Sequence, residues 1–295
     1  MPEGGGNALK TIPPKVAAVH DLSCFGRCSL TVILPALSAM GVQVCPLPTA
    51  IFSTHLGGFT NVVCHDFADQ LAAVSRHWQQ EQLAFDCLYS GFLASEAQFD
   101  AAETFLKQFC TPQTLVFVDP VMGDNGRLYS AYTDSLCIRM KKLVQQADVI
   151  TPNYTEACLL LEEAYDPGCV SGELLREWCR RLSEQGPDQV VITGIPAGNE
   201  VLNLGYDRTS GQFSEVMRPL VQARYPGTGD LFASVLLGAL LQAAPFAAAL
   251  EQAADFVGAA VAATYDAKTP VREGVLFEPL LGQLAKWQER SEEHE

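Results

Sequence analysis

The feature that most constrains this chain is a regular alternation of short β-rich runs with amphipathic segments between residues 15 and 193. V-A-A-V-H (16–20), Q-V-C-P-L (43–47), F-D-C-L-Y-S (85–90), T-L-V-F-V-D (114–119), D-V-I-T (148–151) and Q-V-V-I-T (189–193) read as strands. Between them, residues 29–40, 65–80, 96–109, 133–146 and 172–185 carry apolar side chains at helical spacing. Parallel strands cannot be joined by a tight turn, and their crossovers are usually helices. The alternation therefore predicts a mostly parallel central sheet between two helical layers, a three-layer α/β/α sandwich.

After Thr193 the rhythm changes. Residues 200–206 and 212–219 flank the turn cluster D-R-T-S-G, which predicts an antiparallel hairpin. A long helix from about Thr228 and a second over 246–265 complete the pattern. Neither a linker nor an internal repeat divides the chain. The reading is one domain over 15–285 between flexible tails at 1–14 and 286–295, with no separate lid domain.

Charge narrows the partners. There are 19 basic and 34 acidic residues, a net charge of -15, which argues against a nucleic-acid or anionic-membrane surface. A small anion still has a place to bind wherever main-chain N–H groups converge. Cysteines such as Cys45, Cys87, Cys137 and Cys158 sit in apolar contexts, as reduced thiols of a cytoplasmic protein do. The longest apolar run, Leu231 to Leu250, is interrupted by Gly238, Gln242 and Pro245 and falls short of a membrane span.

Three motifs carry chemistry. In Y-P-G-T-G-D (225–230) a glycine-flanked threonine and an aspartate open an almost wholly apolar helix. The first turn of a helix has N–H groups without intrahelical partners, so Gly227, Thr228 and Gly229 can hold a phosphoryl group by main chain alone. Asp230 either complements the helix dipole or acts as a general base. D-P-V-M-G-D (119–124) sets Asp119 and Asp124 at the carboxyl end of a strand, where open α/β sheets bind ligands, or is an acidic turn. In T-P-N-Y-T-E (151–156), Asn153 and Glu156 have capping-box spacing and also suit a hydrated Mg²⁺ shared with nucleotide phosphates.

In this order, and after these strands, the motifs resemble the ribokinase-like superfamily over about Val16 to Asp266. The nearest branch is the pyridoxal/pyridoxamine kinases, with the hydroxymethylpyrimidine kinases beside it. The resemblance implies a homodimeric cytoplasmic enzyme that transfers the γ-phosphoryl of ATP to a hydroxymethyl group on a heteroaromatic ring. It makes Asp230 the base and residues 227–229 the anion hole. It assigns Asp119, Asn153 and Thr193 to ATP and Asp124 and Glu156 to Mg²⁺, and places Thr151 near a monovalent cation such as K⁺. It gives Ser23, Phe52 and His55 to a B6 vitamer. The chain departs from better-known members in the compact C-F-G-R-C-S-L after Ser23 and in Leu56, where many carry a hydroxyl residue.

The alternatives are a hydroxymethylpyrimidine kinase and a non-catalytic B6- or nucleotide-binding protein on the same scaffold. His20, Cys24 and Cys28 match no standard zinc spacing, and Cys28 reads as core. Arg127 and Arg224 are each either a phosphate-side cation or a solvated side chain.

Overall fold

Residues 12–166, 168 and 171–285 are described by a computed structural model. Of the predicted tails, residues 1–11 and 286–295 lie outside the described residues. In chain order the elements are β1 (Lys15–Ser23), α1 (Leu30–Ala39), β2 (Gln43–Phe52), β3 (Cys64–Asp66), α2 (Ala68–Gln80), β4 (Cys87–Ser90) and α3 (Glu96–Phe109). Then come β5 (Leu115–Val118), β6 (Gly123–Asp124), β7 (Arg127–Leu128), α4 (Asp134–Val144), β8 (Val149–Ile150), α5 (Tyr154–Leu161) and α6 (Gly172–Glu184). The last are β9 (Gln189–Ala197), β10 (Glu200–Asp207), β11 (Gln212–Pro219), α7 (Thr228–Leu241) and α8 (Phe246–Ala267).

Nine strands form one sheet in the order β11-β10-β9-β8-β5-β4-β1-β2-β3. The six from β9 to β2 are parallel, and β3, β10 and β11 add antiparallel edges. A separate two-stranded hairpin, β6–β7, follows β5. The chain leaves β1 toward β2 on one side and later fills the other side with β4, so the order reverses beside β1. The crevice at such a reversal, outside the strands' carboxyl ends, is where these sheets bind ligands.

The sheet is covered on both faces because its strands are apolar on both. One core gathers α1, α7 and α8 through Ile33, Leu37, Leu231, Leu236 and Phe256 over Ala18, Tyr89 and Phe117. The other gathers Leu71, Phe99, Phe105, Met140 and Trp178 from α2, α3, α4 and α6 over Val19, Leu88 and Val118. Each fully buried Phe among these stabilises the fold by about 1.5–3 kcal/mol. Helix starts are fixed locally: Ser95, Thr133 and Ser171 accept from the N–H three residues on. Helix α8 has the length and composition of a membrane-crossing helix, yet it lays Ala249, Leu250, Ala253 and Phe256 on α7 and the β10–β11 hairpin.

The structure differs from the sequence reading at element edges. The helix expected over 65–80 begins at Ala68, because residues 64–66 pair antiparallel with the end of β2 and Asp66 accepts the Ala68 N–H at 2.8 Å. Strand β9 runs past Thr193 to Ala197, since its last residues pair with β10.

Candidate active site

The carboxyl ends of β1, β5 and β8 and the N-terminus of α7 converge on one another. Gly227 is the N-cap of α7, with φ 83°, and offers no side chain to its first turn. The N–H groups of that turn therefore remain open to an anion. A Cβ at Gly227 would lie 2.3 Å from the Arg27 carbonyl oxygen, so this position requires glycine twice over. Gly229 does not: its φ is not positive and a Cβ there meets nothing within 4 Å. That corrects the equal weight the motif gave the two glycines. Thr228 turns its hydroxyl back to the Tyr225 carbonyl at 3.1 Å, so the hydroxyl is engaged within the turn.

Asp230 is buried, and Oδ2 accepts the Ser29 N–H at 2.8 Å. Burial raises its pKa, opposed by the Ser29 N–H and by Cys28. A carboxylate held in this way is a stronger base than one in water. Cys28 is half-buried beside Asp230 and not in the core as expected; burial and the charges of Asp230 and Asp21 push its thiol well up.

Asp119 is also buried and accepts from the Thr151 hydroxyl at 3.0 Å through Oδ1. Burial, then the charge of Asp230, pushes it up to about 7. Asn153 N-caps α5 and closes a full capping box with Glu156, and its Nδ2 donates to the Gly123 carbonyl at 2.9 Å. Pairing of β8 with β9 continues as a bridge between Asn153 and Thr193, which brings these two ATP-side candidates side by side.

The pair assigned to metal does not converge. Glu156 Oε2 accepts the Asn153 N–H at 2.8 Å and Oε1 the Met122 N–H at 3.1 Å, so both oxygens hold main chain. Asp124 turns outward to Asn125 and Arg224. Adjacent strand ends bring backbones together, but hydrogen bonds to the loop decide where these carboxylates point. Among the described residues no three His, Cys, Asp or Glu side chains form a metal cluster. Arg224 reaches Asn125 and Asp124 from the segment before α7 and ties the β6–β7 hairpin to it; Arg127 is solvent-exposed.

On the other side, β1 and β2 are neighbours, with Ser23 opposite Phe52. Ser23 is buried and donates to Asp21 Oδ2 at 3.0 Å. Phe52 packs against Phe92 in the core, ring centroids 6.4 Å apart, and is no free stacking platform. His55 has both ring nitrogens engaged: Nδ1 accepts the Gly57 N–H at 3.0 Å and Nε2 donates to the Arg272 carbonyl at 2.7 Å. These two bonds fasten the loop after β2 to the segment at Arg272. The aromatic groups near it that the sequence did not single out are Phe59, 5.1 Å from His55, and the half-exposed Phe25 in contact with Phe59. Asp21 was missed too, although a carboxylate inside the apolar run V-A-A-V-H-D-L-S was the signal. His20 is buried edge-on to Tyr89 at 4.3 Å and pushed down to about 3 by burial, while Cys24 is exposed, so the two share no metal site.

Comparison with known proteins gives this arrangement a family. The phosphomethylpyrimidine kinase profile matches residues 27–273. The chain belongs to that family. Its fold is the ribokinase-like fold of pyridoxal kinases: the pyridoxal kinase of Lactobacillus plantarum is 33% identical, with a TM-score of 0.85 over 94% of this chain and 98% of that one. A phosphomethylpyrimidine kinase-type protein from Bacteroides thetaiotaomicron, crystallised with pyridoxal, is 40% identical, with a TM-score of 0.89 over 92% of this chain and 96% of that one. A pyridoxal kinase of Arabidopsis thaliana is 30% identical over 211 residues, 68% of this chain and 66% of that one.

Proposed function

We propose that this chain is an ATP-dependent kinase that phosphorylates the hydroxymethyl group of a B6 vitamer, pyridoxal foremost. The observation that carries the reading is the pairing of Asp230, buried and fixed by the Ser29 N–H, with the uncapped first turn of α7. A protein that only binds needs an anion site but no fixed buried base beside it. The vitamer is favoured over a pyrimidine because pyridoxal occupies the 40% identical relative.

In this mechanism Asp230 takes the proton of the substrate hydroxyl. The oxygen attacks the γ-phosphorus, the bond from phosphorus to the β–γ bridging oxygen breaks, and ADP leaves. The N–H groups of Thr228, Gly229 and Asp230 face the charge that develops on the transferred group. Asp119 and Thr151 offer hard oxygens at a strand end, and among the described residues Asp119 Oδ2 carries no hydrogen bond, which fits a hydrated Mg²⁺. Such an ion, bound with ATP, neutralises phosphate charge. Glu156 and Asn153 position the loop that leads from Asp119 to Asp124.

The test is phosphorylation of pyridoxal, pyridoxine, pyridoxamine and hydroxymethylpyrimidine side by side with Mg-ATP. Asp230→Asn should lower kcat by about 10²- to 10⁴-fold and leave binding of both substrates intact. Turnover of the pyrimidine alone, or near wild-type kcat in the variant, overturns the reading.

A further inference from the structure

Asp21 has no part in the reaction above, yet the structure gives it an unusual place. The β1–β2 register shifts between His20, opposite Pro48, and Leu22, opposite Ile51, so two residues of β2 face Asp21 alone. Bulges of this kind re-aim a side chain and are common beside active sites. Leu22 then pairs across an isolated bridge with Ser29, which returns the loop 24–28 to the strand it left. Asp21 is buried with both oxygens engaged: the Ser29 hydroxyl donates to Oδ1 at 2.6 Å and the Ser23 hydroxyl to Oδ2 at 3.0 Å. Ser29 has φ 50° and ψ -130°, a backbone conformation that L-residues seldom adopt, and its N–H is the group that holds Asp230.

We propose that Asp21 is a positioning residue that couples the vitamer subsite to the catalytic base. It fixes Ser23 on one side and the strained Ser29 on the other. Two consequences follow from donor and acceptor chemistry. The Ser23 proton points at Asp21, so Ser23 shows a ligand only lone pairs. It therefore reads a ring edge that carries a donor, such as a phenolic hydroxyl or a protonated pyridine nitrogen. The Ser29 hydroxyl is tied at 2.6 Å, so its N–H stays aimed at Asp230 through turnover. A carboxylate does both because it is acceptor-only at both oxygens. An amide accepts from one serine and must donate to the other. The arrangement has a cost: burial, then the charge of Asp230, raises Asp21 to about 6, held down in part by the Ser29 and Ser23 bonds. The inference rests on the reading of Ser23 as facing the vitamer and Asp230 as the base.

The experiment uses the full chain and four variants: Asp21→Asn, Ser23→Ala, Ser29→Ala and the double Asp21→Asn/Ser23→Ala. Steady-state kinetics vary pyridoxal and ATP in turn, and melting temperatures are measured alongside. Hydrogen bonds to a charged group predict about ten- to a hundredfold effects. Ser23→Ala should raise KM for pyridoxal only, and Ser29→Ala should lower kcat only. Asp21→Asn should do both, with KM for ATP unchanged. The double variant should have the pyridoxal KM of Asp21→Asn alone, because the two residues act as one unit. Additive effects in the double variant, or kcat and pyridoxal KM within about twofold of wild type in Asp21→Asn, overturn the coupling. If Asp21→Asn does not fold, an unchanged kcat in Ser29→Ala overturns it equally. Wild-type protein inactive on pyridoxal instead refutes the proposed function; the same variants are then read on whichever hydroxymethyl substrate is turned over.

Discussion

Gly227→Ala tests the anion hole most directly, and its magnitude can be worked from the structure. Gly227 has φ 83°, where an L-residue costs about 1–2 kcal/mol. The new Cβ would lie 2.3 Å from the Arg27 carbonyl oxygen, a backbone atom that cannot swing aside. Carbon and carbonyl oxygen need about 3.3 Å, so the first turn of α7 or the loop 24–28 must move by about 1 Å. The loop resists, since the Arg27 N–H donates to the Glu273 carbonyl at 3.0 Å and Ser29 is tied to Asp21. A stability loss of about 2 kcal/mol is expected, or about 3 °C in Tm. A shift of about 1 Å in the phosphate-facing N–H groups should lower kcat by about 10²-fold. Gly229→Ala is the control. It has ordinary helical geometry and open space for the methyl, so Tm should hold or rise, by at most about 1 kcal/mol in stability. Thermal melts and ATP-dependent pyridoxal phosphorylation on both variants decide it. A Gly227→Ala protein with wild-type Tm and kcat, or a Gly229→Ala protein that loses as much stability, refutes the geometric argument.

Two further predictions concern buried carboxylates. Asp119 is raised from 3.8 to about 7, so the folded chain favours its protonated form. Its stabilising contribution is full below about pH 4 and lost as pH rises through about 7. Asp119→Asn should therefore melt higher than wild type at about pH 8, by at most about 4 kcal/mol, with the gap closed at about pH 4 and activity lost; calorimetry showing the same gap at both pH values contradicts this. Glu156→Ala removes the capping box of α5 and leaves the Met122 N–H buried without a partner, which should cost about 2–4 kcal/mol and raise KM for ATP. Melting curves and ATP-varied kinetics check it, and an unchanged KM with lowered Tm would confine Glu156 to the cap.

The sequence by itself determined the layers and the places where chemistry can sit. Strand and helix periodicities are local, so β4, β5 and α3 were legible at nearly their observed bounds, and so was the β10–β11 hairpin with its turn residues, whereas β1, read as 16–20, runs on to Ser23. The motifs at 119–124, 151–156 and 225–230 lie at strand ends and a helix start because turn and capping chemistry is also local. Only the tertiary structure decided where each member of a motif points. Asp119 and Asp124 are alike in sequence, yet one is buried on Thr151 and the other reaches outward to Arg224. Gly227 and Gly229 are alike, yet only Gly227 meets a carbonyl from a loop 200 residues away in the chain. His55 reads as a ligand-binding side chain until its nitrogens are found on Gly57 and Arg272. Asp21 and Asp230 meet through Ser29 across a separation of 201 residues between Ser29 and Asp230. Such choices depend on where distant backbones cross and on which donors reach a buried oxygen first. A one-dimensional pattern does not encode those distances.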